Sequence, residues 1–161
     1  MKIYLDTSVI SHLDQSDAPD KRKDTLLLWE EIKKGLYEVY ISEIVVKELK
    51  GNEPTKYAIL KDYLAEIDYN FIPITAEIKA YANKLVEQGI LTVKSYDDGQ
   101  HIASAVISNC EKILSWNFKH MVKTKTVNGV KTISELLGYG KIDIIPPSML
   151  VERGYKWKSQ N

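Results

Sequence analysis

Three carboxylates stand among residues that should be burying hydrocarbon. Asp6 ends the apolar run Ile3-Tyr4-Leu5, Glu48 falls in the stripe Ile44, Val45, Glu48, Leu49, and Asp98 shares a helical face with Ile102 and Ala105. A buried carboxylate without a partner is costly, so such a group is protonated, paired or bound to a cation. Three inward acids from distant stretches point to one shared cation site. Hard cations such as Mg²⁺ or Mn²⁺ take carboxylate and water oxygens, and a site with few protein ligands and many waters suits phosphodiester hydrolysis. Competing chemistry is thinly represented. The sequence has no Cys/His set for zinc, no Gly-rich phosphate loop and no Gly-x-Ser-x-Gly elbow. A phosphotransferase using Asp6 as nucleophile would want a second acid at position 8, where Ser8 stands.

The acids need a scaffold that brings them together. Lys2–Leu5 reads as a short buried strand, with Thr7-Ser8 capping a helix that carries Val9, Ile10 and Leu13. Leu26, Leu27, Trp29, Ile32 and Leu36 form a helical stripe closed near Gly35. Val39-Tyr40-Ile41 is a second strand, and Ser42 an N-cap for the helix bearing Glu48. A helix with Tyr57, Leu60, Leu64 and Ile67 leads to a Pro-limited strand at 71–74. The next helix, with Ile78, Tyr81, Ala82, Leu85 and Val86, ends at Gly89. Asp97 or Asp98 starts another, and Lys112–Ser115 is a fourth strand. Across 124–137, Asn128-Gly129 resembles a hairpin turn, but Val127, Val130, Ile133 and Leu136-Leu137 recur at helical spacing and favour a helix broken at Gly138. Ile142–Ile145 is a last short strand.

Strands alternating with helices imply an α/β domain whose short, mostly parallel sheet of about four or five strands is covered on both faces. Ligands in such sheets bind beyond the carboxyl ends of the strands, where Asp6 and Asn117 fall. Residues 1–150 read as one domain and 151–161 as a polar tail. The formal net charge is zero, but between Lys112 and Lys131 there are five lysines and His120 with no Asp or Glu. That run follows a candidate site residue directly and suits a polyanion-facing edge. No run approaches the about 18 apolar residues of a membrane span. The early acid Asp6 and the lone Cys110, a small buried thiol, fit a cytoplasmic location.

Four segments carry a family resemblance. Tyr4-Leu5-Asp6-Thr7-Ser8-Val9-Ile10, Ser42-Glu43-Ile44-Val45-Val46-Lys47-Glu48-Leu49 and Asp98-Gly99-Gln100-His101-Ile102-Ala103-Ser104-Ala105 resemble the PIN domain. Leu114-Ser115-Trp116-Asn117-Phe118-Lys119-His120 resembles a PIN subgroup close to VapC-type toxins. The four segments stand in the family's order and spacing, and the resemblance runs from residue 2 to about 150.

The resemblance implies a three-layer α/β/α fold and a Mg²⁺- or Mn²⁺-dependent endoribonuclease, commonly the toxin of a type II toxin–antitoxin pair. Carried over by position, Asp6, Glu48 and Asp98 match the metal-binding acids, with Asp97 the fallback for Asp98. Asn117 stands where many members have a fourth acid; an amide oxygen can bind Mg²⁺ but brings no charge. This makes one ion the safer expectation, and a catalytically weak or inactive module that binds RNA or protein the alternative. Thr7 and Ser115 are expected to hydrogen-bond the acids or metal waters. Lys119, His120 and Lys123 are candidate contacts to substrate phosphates. His101, three residues past Asp98, reads as a core histidine, and Trp29 and Trp116 as packing. The implied partners are an RNA substrate, a small antitoxin and a second copy of the chain.

Overall fold

The computed structural model describes residues 1–151, so most of the polar tail lies outside the described residues. Strand β1 (Lys2–Leu5) runs through the middle of the sheet, with Ile3, Tyr4 and Leu5 fully buried. Its unbroken apolar run is what a strand covered on both faces requires. It pairs with β2 (Glu38–Ser42) on one side and β4 (Lys112–Leu114) on the other. β3 (Asn70–Ile72) and β5 (Asp143–Ile145) complete the order β3-β2-β1-β4-β5, and every pairing is parallel. Register sets Tyr4 beside Tyr40 and Ile113, and Leu5 beside Leu114. The carboxyl ends of β1 and β4 therefore finish level with each other.

The helices flanking the sheet are α1 (Thr7–Ser11), α2 (Pro19–Lys33), α3 (Glu43–Lys50), α4 (Pro54–Leu64), α5 (Ala76–Glu87), α6 (Tyr96–Ile107) and α7 (Thr124–Leu137). Asp6 itself occupies the N-cap position of α1, so Thr7 and Ser8 lie in the first turn instead of capping it, and both hydroxyls are free for other work. In α2 the buried line is Thr25, Leu28, Trp29 and Ile32, while Leu27 and the following Leu36 face out. Trp29 and Ile32 face inward as the sequence stripe has them, while Leu28 takes the buried place expected of Leu27. β3 stops at Ile72, where Pro73 removes the next amide donor.

Helix α7 runs through Asn128-Gly129 without a turn and ends at Gly138, whose φ of 82° is the left-handed conformation of a helix terminator. Gly129 is needed because a Cβ there would lie 2.6 Å from the Ile90 side chain. Close approach of α7 to the loop after α5, not a hairpin, explains this glycine. Gly99 of α6 differs, since a Cβ there would meet Ala82 and Leu91 at 3.4 Å, an ordinary van der Waals contact. Leu150 and Val151 pack into the same core as the sheet. Among the described residues no helix is long and apolar enough to cross a membrane.

Candidate active site

Asp6 follows β1 at the sheet edge and is 4% exposed. Its backbone N–H donates to Leu114 O at 3.1 Å, which ties it to the end of β4. Its Oδ2 accepts from Ser115 Oγ at 2.6 Å and from Ser8 Oγ at 2.8 Å. Ser8 in turn accepts the Trp116 N–H at 2.9 Å. These two hydroxyls fix the carboxylate and leave Oδ1 facing the site. A buried charge held by two donors is a supported one.

Asp98 enters from the first turn of α6. The helix starts at Tyr96, after a short 3₁₀ turn at Val93–Ser95, and this register turns Asp97 outward and Asp98 inward. Asp97 accepts from Gln100 Nε2 instead (3.3 Å). Burial, and then the negative charge of Asp6, push the Asp98 carboxyl up to about 6; Glu48 adds to the rise, while His101 and His120 oppose it. Asp98 thus lies within the field of both other acids. Their mutual repulsion is an imbalance that a cation would relieve.

Glu48 corrects the sequence expectation of an inward acid: it is exposed, on the solvent side of the stripe formed by Ile44, Val45 and Leu49. It projects from α3, where Oε1 accepts from Thr7 Oγ1 at 2.9 Å and is hydrogen-bonded to His101 Nε2. His101 Nε2 also lies 3.5 Å from Asp6 Oδ1. The imidazole is fully buried between the two acids, and its Nδ1 meets Tyr4 Oη at 2.7 Å. Tyr4 Oη continues to Ser42 Oγ at 2.7 Å. Burial lowers the His101 pKa, but the Glu48 hydrogen bond and the charges of Asp6, Glu48 and Asp98 outweigh it, for a net rise. Burial likewise raises that of Glu48, yet contact with His101 and Thr7 brings it below its usual value. With His101 protonated, Nε2 donates to Glu48, Nδ1 donates to Tyr4, and Tyr4 donates to Ser42.

The three acids therefore share one electrostatic neighbourhood, but among the described residues no three His, Cys, Asp or Glu side chains are gathered as a ready metal cluster. His101, one helical turn beyond Asp98, places Nε2 against both Asp6 and Glu48. The donor chemistry still fits a hard cation: oxygen ligands only, and uncompensated negative charge at Asp98.

Asn117 follows β4 and Ser115, half-buried beside the acids. Its Oδ1 accepts the His120 N–H at 3.0 Å and its own N–H donates to Ser115 Oγ at 3.0 Å. It shapes the turn that carries Lys119 and His120. Thr7 and Ser115 sit on Glu48 and Asp6 respectively. Trp116 is buried, with its indole N–H on Thr25 Oγ1 (2.9 Å). Sequence reasoning read His101 as a core histidine and Ser8 as part of a helix cap, and gave neither of them nor Tyr4 a place in the site. A usable signal existed for His101, since its spacing from Asp98 puts both on one helical face.

No family model matches the sequence, and no curated protein matches it. Solved structures do resemble it. A chain in the structure of VapBC2 from Rickettsia felis bound to a DNA fragment from its promoter matches with a TM-score of 0.53 at 20% identity, over 74% of this chain and 90% of that one. A chain in the 2.2 Å structure of VapBC-1 from nontypeable Haemophilus influenzae gives 0.54 at 14% identity, over 92% of this chain and 99% of that one. The fold is PIN-like. At these identities the likeness is one of fold alone. Within this PIN-like fold, the side chains carry any functional reading.

Proposed function

We propose that this chain is a VapC-type endoribonuclease, dependent on Mg²⁺ or Mn²⁺ and hydrolysing RNA phosphodiesters as the toxin of a toxin–antitoxin pair. The observation that carries this reading is the meeting of Asp6, Asp98 and Glu48, from three separate elements, in one negative field at the sheet edge. The likeness of fold to chains in two VapBC structures supports it, as do the four sequence motifs. An antitoxin partner, a homodimer and a cytoplasmic location belong to the same reading.

Asp6 and Asp98 would hold the ion, with Glu48 as the third ligand once released from His101. The bound ion supplies an activated water and neutralises charge developing on the phosphate oxygens. The chain's own contribution is orientation. Ser8 and Ser115 aim Asp6, Thr7 restrains Glu48, and Asn117 holds the turn that presents His120.

The test is cleavage of fluorescent single-stranded and structured RNA by the purified protein. Cleavage with millimolar Mg²⁺ or Mn²⁺, abolished by chelator, is the expected result. Unaltered cleavage in chelator would contradict metal dependence. The engagement of Glu48 by His101 and the amide at Asn117 favour a second reading, a PIN-like module that binds RNA or a protein without cutting. Calorimetric titration separates the two: absence of binding at millimolar Mg²⁺ and Mn²⁺ favours the binding module.

A further inference from the structure

Beside the acids lies a small cavity of about 60 Å³ between the loop after α5, the turn preceding α6 and the start of α7. Its polar lining comes from Thr92, Ser95, His120, Lys123 and Lys125. At roughly 30 Å³ per water, it has room for about two waters or one compact oxyanion. Among the described residues neither Lys123 nor Lys125 has a carboxylate within ion-pair distance; the lysine pairs found there belong to Lys33, Lys112 and Lys131. Ser95 is 6% exposed and its Oγ accepts from Thr92 Oγ1 at 3.3 Å, which leaves its own O–H to donate to an occupant. Gly129 lets α7 approach Ile90 closely enough to form the wall.

The cavity adjoins the acid site on one side. His120 lines it and also acts on the Asp98 carboxyl. The main-chain N–H of His120 is held by Asn117 Oδ1, so the turn that borders the acids also shapes the cavity. Cations against a negative centre form the pattern expected of a strand whose backbone is gripped next to the bond being cut. The two lysines attract polyanion, while the acids repel any anion arriving without a cation.

We propose that this cavity binds the backbone phosphate that flanks the scissile phosphodiester in the RNA strand, with Lys123, Lys125, His120 and Ser95 as its contacts. This deepens, and rests on, the ribonuclease reading above. It separates Lys123 and His120 from Lys119, which does not line the cavity, and adds Lys125 and Ser95.

The test is binding of a fluorescent single-stranded RNA to the full chain in chelator, followed by anisotropy across a salt series. Lys123→Ala/Lys125→Ala is compared with Lys61→Ala/Lys84→Ala, which removes the same charge from α4 and α5. The cavity pair should weaken binding by roughly tenfold or more, as loss of a charge-assisted contact does. It should also flatten the log K against log salt slope by about 0.7, for the single phosphate the cavity holds on a single strand. Equal losses in both double variants, or no RNA binding by the parent, would overturn the assignment. Saturable binding of inorganic phosphate that needs the two lysines, with RNA affinity unchanged by their removal, would overturn it too and assign the cavity to a free anion. Cleavage with metal is scored separately. Cleavage by the parent with unselective lysine effects removes the subsite and keeps the nuclease; selective lysine effects without cleavage do the reverse.

Discussion

The Tyr4 hydroxyl meets His101 Nδ1 at 2.7 Å and thereby sets the ring's other nitrogen against Glu48. One residue from the central strand thus decides where an acid on α3 points, through a histidine on α6. The relay Ser42–Tyr4–His101–Glu48–Thr7 ties five elements, β2, β1, α6, α3 and α1, together at the site.

Tyr4→Phe removes the middle of that relay while keeping the ring. Ser42 Oγ and His101 Nδ1 would each lose their Tyr4 partner in a dry interior. A destabilisation of about 1–3 kcal/mol is expected, the cost of buried polar groups left unmade. Denaturant unfolding of parent and variant measures it. An unchanged midpoint would show that the relay is not tight in solution.

Asp98 gives a pH dependence of definite sign. Its folded pKa, raised to about 6 from 3.8, means that the folded protein binds this proton more tightly than the unfolded chain. The associated stability is complete below 3.8 and lost as pH rises through 6. Asp98→Asn should therefore stabilise the metal-free protein above pH 6, by about 1 kcal/mol once solvent screening at this half-buried group is allowed for. The gain should shrink as pH falls toward 4. Thermal unfolding in chelator at pH 4.5 and 7.5 checks both statements, and a destabilised variant at pH 7.5 would refute them.

Gly129→Ala replaces a poor helix former by the best one, a change worth about 1 kcal/mol in favour of an exposed helix. Here the new Cβ would sit 2.6 Å from Ile90, so overpacking should win by about 1–3 kcal/mol. Adding Ile90→Ala should recover part of the loss. Stabilisation by Gly129→Ala alone would mean that α7 and the 89–92 loop are not in contact.

Ser115→Ala deletes one of the two hydroxyls that hold Asp6 and the acceptor of the Asn117 N–H. Loss of these bonds should cost about 1–2 kcal/mol of stability. If the nuclease reading holds, cleavage should slow by about tenfold or more, because Asp6 is then aimed by Ser8 alone. A variant that is destabilised yet cleaves at the parental rate would separate folding from positioning.

Much of the fold was legible because its strands are short apolar runs separated by well-punctuated helices. The positions of Asp6 and Asp98 were legible for a related reason, since the end of a buried strand and the face of an apolar helix are both fixed by the apolar pattern around them. Glu48 was placed on the right element but not with the right partner. Its contact with His101 joins residues 53 positions apart and depends on how α3 and α6 pack, which periodicity does not encode. The α2 stripe was misjudged because Leu26, Leu27 and Leu28 are adjacent, and only tertiary contact decides which of them faces inward. Gly129 was ambiguous for another reason, although the helical spacing around it was read correctly. Next to Asn128 it has turn chemistry, whereas its real role is steric and visible only with Ile90 in place.

The most direct measurement is RNA cleavage in Mn²⁺ by the parent beside Asp6→Asn and Asp98→Asn, with folding of each checked by thermal unfolding. Both variants should remain folded and lose cleavage by about a hundredfold or more, the scale of removing one charged group that acts in the transition state. Cleavage by both folded variants at the parental rate would contradict an active site built on these acids.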